Sequence, residues 1–193
     1  MQLFSKLYAR VMQWATHRHA QWYLAGLSFA EASFFPVPPD VMLAPMSLAY
    51  PPRAWRYATI ATLASTLGGV AGYLIGMFAF EMIQPWMDKM GYMGKYQMVV
   101  DWFEHWGVWV VFLAGFTPIP YKLFTIAAGV TSMSVAPFMV ASFFGRGARF
   151  YLVAALMAWG GERMDRLFRI YVDRAGWAFL GLTAIAFIVI RYN

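Results

Sequence analysis

Residues 36–40 read PVPPD, inside the run FAEASFFPVPPDVMLAPMSLAY (29–50). Apart from Glu31 and Asp40 that run carries no charge. Each proline in a helix interior costs about 3 kcal/mol, so a straight helix through Pro36, Pro38 and Pro39 is excluded. The spacing predicts two half-helices that meet at the proline turn, a re-entrant hairpin over 22–50. Irregular backbone at membrane depth is tolerated only where protein or water covers it. The PVPPD turn is therefore expected to face an interior. A second stretch, PIPYK (118–122), repeats the pattern in another apolar run and ends on a lysine.

Composition sets the solvent. The 193 residues are 61% hydrophobic, 19% aromatic and 12% charged, with mean hydropathy +0.53. Soluble chains carry roughly 25% charged residues, so the reading is an all-α integral membrane protein of one domain. The net charge of +6 belongs to no basic, aromatic-interleaved soluble domain, and nucleic-acid binding is excluded as a role. The expected partner is the lipid bilayer, and a homo-oligomer is left open. The cysteine count is zero, which removes disulfides, thiolate metal sites and thiol catalysis. The N-terminal stretch lacks the basic, apolar and small-residue order of a secretory signal, so the chain is expected to begin at Met1.

Further elements follow from apolar periodicity. Residues 1–20 place Leu3, Phe4, Leu7, Tyr8 and Val11 on one helical face, as an interfacial helix does. Residues 57–80 carry no charge and predict a transmembrane helix. It bears Gly68, Gly72 and Gly76 at four-residue spacing, a smooth face for close helix packing. Residues 84–105 read as a second interfacial segment. Pro118 and Pro120 break a second re-entrant hairpin at 107–132. Transmembrane helices are expected at 135–160 and, C-terminally, at 175–191.

The two proline stretches align at an offset of 82, FPVPPDVMLAP (35–45) over TPIPYKLFTIA (117–127), with Asp40 over Lys122. With five fewer residues in the second connection, STLGGVAGY (65–73) lies over SFFGRGARF (142–150). Gly68 then meets Gly145, and Gly69 and Gly72 meet Arg146 and Arg149. Each unit reads interfacial helix, hairpin, spanning helix. One crossing per unit makes the second copy inverted, an architecture of secondary transporters. Nine Lys and Arg fall on one face (Lys6, Arg10, Arg18, Arg53, Arg56, Arg163, Arg166, Arg169, Arg174) and three on the other (Lys89, Lys95, Arg191). The positive-inside rule then places the N-terminus in the cytoplasm.

Five charges stay within apolar depth: Glu31, Asp40, Lys122, Arg146 and Arg149. Each costs at least about 2.5–3.5 kcal/mol at the bilayer centre, so they must find partners or water. One reading makes them buried ion pairs that fix hairpin geometry. The other makes a polar cavity, with Glu31 and Asp40 at its cytoplasmic mouth and Lys122, Arg146 and Arg149 as a basic patch. Lys and Arg bind phosphate, and desolvated carboxylates take up protons. The pattern thus suits a phosphate-bearing ligand coupled to protons. Enzyme chemistry ranks last. His17, His19 and His105 sit in flanking segments, and G-x-S-x-G, HExxH and Walker motifs are missing. Thr117 and Tyr121 offer hydroxyls with no base beside them. No cofactor and no metal are expected.

EASFFPVPPD (31–40), GYLIG (72–76) and FTPIPYKLFTIAAG (116–129) resemble the DedA family, which carries the VTT (SNARE-associated) domain, in its short YqaA-like branch. The resemblance covers about 22–160. It implies two opposed re-entrant hairpins, each followed by a spanning helix, in the bacterial inner membrane. It further implies lipid movement between leaflets, of a phosphorylated polyprenyl carrier or a phospholipid, in dependence on the proton-motive force. Glu31 and Asp40 fall on the family's essential acidic pair, and Lys122 on the second basic position of the second hairpin. Many members have an arginine six residues before that position, where this chain has Phe116. The expected function is a lipid flippase or scramblase. A proton- or cation-coupled antiporter and a non-transporting assembly factor are the alternatives.

Overall fold

The computed structural model describes residues 19–160 except 36, 90, 92 and 118–120. The expected interfacial helix 1–20 (all but its last two residues), the C-terminal helix 175–191, and Pro36, Pro118 and Pro120 lie outside the described residues. Those described form helices and turns, without a strand among them. In order these are α1 (Ala20–Ser33), α2 (Asp40–Ala49), a short 3₁₀ turn (Pro51–Arg53), α3 (Ala54–Lys89), α4 (Met93–Phe116), α5 (Tyr121–Val130) and α6 (Val135–Gly160).

The break between α1 and α2 follows from backbone chemistry. The N–H groups of Phe34 and Phe35 both donate to the Ala30 carbonyl at 2.8 Å and close α1. Pro38 and Pro39 have no N–H to continue the ladder. Pro39 instead caps α2 with φ −67°, the angle its ring imposes and one a helix start accepts. Asp40 then stands in the first turn of α2, where a carboxylate favours the positive end of the helix dipole. The chain folds back at this break. Ala20 and Leu24, early in α1, share a buried cluster with Met46, late in α2, and with Ala54, Phe150 and Ala154.

Length separates the helices into two kinds. The apolar helices Pro51–Met82 and Val135–Gly160, with mean hydropathies of 1.6 and 1.2, are long and apolar enough to cross a membrane. The ten-residue α2 and α5 reach only about 15 Å at 1.5 Å per residue, half a hydrocarbon core of about 30 Å. Outward faces are apolar: Leu63, Leu67, Leu74 and Phe78 are exposed along one stripe of α3, as lipid contact requires.

Residues 84–105 differ from the expected separate interfacial segment. Their first part completes α3, through Pro85 to Lys89, and the rest begins α4, which continues unbroken to Phe116. The chain turns instead at Gly91, whose φ of +74° is one that glycine adopts without steric cost. No proline interrupts 93–116, so nothing stops the helix at residue 105. The turn from α5 to α6 is equally short. Ser132 takes φ +52°, and the N–H of Met133 reaches the Ala128 carbonyl at 3.0 Å, which caps α5 as a left-handed C-terminal turn does.

The glycine stripe of α3 serves two partners. A Cβ on Gly68 would lie 2.2 Å from the Phe29 carbonyl oxygen of α1, and one on Gly76 would lie 2.1 Å from that of Ile126 on α5. Gly72 sits between them, its Cβ position 2.4 Å from Thr125 Oγ1 and 3.0 Å from the Ala32 oxygen. Gly129 of α5 returns the contact: a Cβ there would lie 1.9 Å from the Tyr73 oxygen. Backbone meets backbone at these points, so α3 is the spine on which α1 and α5 lie. Gly129→Ala therefore forces the α3–α5 pair apart and is expected to destabilise by about 1–3 kcal/mol. Gly26→Ala, with nothing within 4 Å of the new methyl, is expected to stabilise α1 by about 0.5–1 kcal/mol. Thermal unfolding of both variants in detergent checks the contrast.

Candidate functional site

Glu31 stands in the last turn of α1 and Asp40 in the first turn of α2, either side of the proline break. Arg146 and Arg149 stand three residues apart on α6, a spacing that puts them on one helix face. The structure joins these four. An Arg146 Nη2 group donates to Glu31 Oε2, and Arg149 Nη2 donates to Asp40 Oδ2. All four side chains are largely withdrawn from solvent: 3% and 12% exposed in the first pair, 17% and 7% in the second.

Arg146 is held from every side. Its Nε donates to Ser65 Oγ of α3 at 2.7 Å. Its guanidinium lies 5.1 Å from the ring centre of Tyr121, on α5, and 4.6 Å from that of Phe150, one turn along α6. Cations over aromatic faces gain roughly 0.5–2 kcal/mol, most when desolvated. The Tyr121 hydroxyl is itself tied to Ser142 Oγ. One guanidinium thus links α1, α3, α5 and α6. Arg149 makes a second link, since its Nη1 donates to the Thr117 carbonyl at 2.5 Å, just past the end of α4. It leaves its Nε, and Asp40 leaves Oδ1, buried without a hydrogen-bond partner among the described residues.

Sequence reasoning grouped the two arginines with Lys122 as a basic patch. Instead the arginines neutralise the two carboxylates, and the four-residue network carries no net charge. Lys122, half-buried in the first turn of α5, has neither an ion pair nor a side-chain hydrogen bond among the described residues. Of the two readings, ion pairing of these four charges is the one the contacts carry. Ser65, Ser142 and Phe150 went unnoticed as members. The repeat carried a signal for two of them, because it aligns Ser65 with Ser142. Thr117 contributes its carbonyl to Arg149, where sequence reading had considered its hydroxyl.

Residues 37–158 match the VTT domain family. The chain is a member of the DedA family, defined by that domain. The matched region holds Asp40, Lys122, Arg146 and Arg149, while Glu31 lies just before it. Among DedA relatives and other similar chains, an uncharacterised protein of Haemophilus influenzae is 44% identical over 191 residues, 99% of this chain and all of its own length. Undecaprenyl phosphate transporter A of Staphylococcus aureus is 36% identical over 92 residues, 45% of each chain. Inner membrane protein YqaA of Escherichia coli is 25% identical over 134 residues, 69% of this chain and 87% of its own. No solved structure shows significant similarity.

Removing one partner of a buried ion pair strands the other charge, at a cost of about 3–5 kcal/mol. Glu31→Leu and Arg146→Met are each expected to lose stability on that scale. The double variant Glu31→Leu with Arg146→Met is expected to recover most of it, because a hydrophobic pair of similar volume leaves no charge unpaired. A double-mutant cycle by thermal unfolding in detergent measures the coupling.

Proposed function

We propose that this protein moves a phosphate-bearing lipid between the leaflets of the bacterial inner membrane, as a flippase or scramblase. The observation that carries the proposal is a buried charge network at the proline break, with Lys122, which has no ion pair or side-chain hydrogen bond among the described residues, next in sequence to Tyr121 of that network. Lys122 lies in the first turn of α5, where its ammonium adds to the positive end of the helix dipole. It is a cation placed to meet an anion. A polyprenyl phosphate or phospholipid headgroup enters there while its tails stay in lipid. Glu31 and Asp40 take up protons as the arginines loosen from them. The Staphylococcus aureus relative, an undecaprenyl phosphate transporter by name, supports this ligand chemistry.

The proposal includes the membrane arrangement. α1–α2 and α4–α5 are the arms of two re-entrant hairpins, α3 and α6 the spanning helices that follow them, and the N-terminus is cytoplasmic. The half-thickness of α2 and α5 supports the hairpins. Paired contacts support the inverted repeat. Gly68 of α3 meets the Phe29 carbonyl of α1 as Gly145 of α6 meets the Phe112 carbonyl of α4, with Cβ positions 2.2 and 2.4 Å from the oxygens.

Leaflet exchange of fluorescent phospholipid and of polyprenyl phosphate in proteoliposomes tests the function. Asp40→Asn and Lys122→Ala are each expected to slow exchange about tenfold or more, the loss of one charge-assisted hydrogen bond. Parent-like rates in both variants contradict the mechanism. Collapse of a pH gradient by Na⁺ or K⁺ without lipid movement selects the antiporter instead.

A further inference from the structure

The alignment of the two halves matches two helix seams that differ in chemistry. On the α3–α5 seam, glycines 69, 72, 76 and 129 bring the helices into contact. The matching seam, between α2 and α6, has arginines where α3 has Gly69 and Gly72. Those arginines are paired there with Glu31 and Asp40, and the buried polar atoms that lack a partner among the described residues fall on this side of the molecule.

The buried hydroxyls of Ser33, Thr62, Ser65, Thr66, Thr125 and Ser142 all have hydrogen-bond partners. Four buried side-chain atoms have none among the described residues: Ser28 Oγ, Ser47 Oγ, Asp40 Oδ1 and Arg149 Nε. All four belong to α1, α2 and α6. Ser28 and Ser47 are each 0% exposed. A buried hydroxyl left without a partner costs roughly 1–3 kcal/mol, and native interiors keep few of them.

Their placement is ordered. Ser28 lies one turn before Glu31 on the same face of α1, and Ser47 lies two turns beyond Asp40 on the same face of α2. Each is one turn from a leucine, Leu24 or Leu43, of the buried cluster that also holds Phe150 and Ala154 of α6. The serines therefore mark two lines from the carboxylate layer toward the ends of α1 and α2 remote from the proline break. Hydroxyls, a carboxylate oxygen and a guanidinium N–H together offer donors and acceptors along these three helices. That set suits a small species that both donates and accepts, and an acyl chain or a bare anion satisfies only part of it.

We infer that a hydrated path for water and protons runs between α1, α2 and α6, from Glu31 and Asp40 past Ser28 and Ser47 toward the ends of α1 and α2 remote from the proline break. The α3–α5 seam stays dry. This goes beyond lipid movement and stands independently of it, since the path serves an antiporter equally well.

The cysteine-free chain allows a direct test on the full protein in membrane vesicles. Ser28→Cys, Ser47→Cys, Thr125→Cys and Ser142→Cys are made singly and exposed to 2-aminoethyl methanethiosulfonate. Only a hydrated thiol ionises and reacts, so the first two are expected to label about tenfold or more faster than the last two. Equal rates at all four positions overturn the inference, as does failure of Ser28→Cys and Ser47→Cys to label when their gel-filtration profiles match the parent. Should Ser28→Cys fail to fold, Ser47→Cys against the same two controls decides. No lipid is assayed, so this result and that of leaflet exchange are separable.

Discussion

In hydrocarbon, an ionised side chain must be paired or hydrated, and that constraint organises this protein. Arg146 and Arg149 are admitted into α6 because Glu31 and Asp40 meet them there. In return, the arginines fix where the helices either side of the proline break can lie. The pairs join residues more than a hundred positions apart in sequence. They tie the start of the chain to the last described helix, and Arg149 adds the segment after α4 through the Thr117 carbonyl. Buried pairs are weak evidence for stability, because desolvation offsets most of their attraction. Their evident product is geometry: two carboxylates and two guanidinium groups held in one layer.

The remaining structure supports that layer. α3 carries glycines where α1 and α5 must come close, and so sets the spacing across which Arg146 reaches Ser65 and Glu31. Tyr121 and Phe150 flank the same guanidinium and exclude solvent from it. Arginine suits the position better than lysine. Its planar fork donates to Glu31 and Ser65 at once while its faces stack on rings.

Much of this was legible in the sequence, for reasons specific to each element. Prolines cannot donate to a helix ladder, so the break after Ser33 was readable from Pro36, Pro38 and Pro39. Charges are so costly in lipid that Glu31, Asp40, Lys122, Arg146 and Arg149 announced themselves. Membership of the DedA family was readable from EASFFPVPPD and FTPIPYKLFTIAAG, and the match over 37–158 shows it. Partner choice was not readable. A basic patch and a set of ion pairs use the same residues, and only the packing of α1 and α2 on α6 selects the pairs. The continuous α4 was missed because aromatic, mixed-polarity residues at 93–105 resemble a surface segment, although nothing in them terminates a helix. Ser28 and Ser47 carry no signal in one dimension; their interest lies in burial without a hydrogen-bond partner among the described residues.

The central claim is that Glu31–Arg146 and Asp40–Arg149 are the contacts that join the first helix pair to α6. Solid-state NMR on the protein in lipid bilayers tests it most directly, by carbon–nitrogen dipolar recoupling between labelled carboxyl carbons and arginine guanidinium nitrogens. The account predicts strong dephasing of one glutamate and one aspartate signal, the first abolished by Arg146→Gln and the second by Arg149→Gln. Carboxyl signals that show no arginine coupling, or couplings unchanged in those variants, would contradict it.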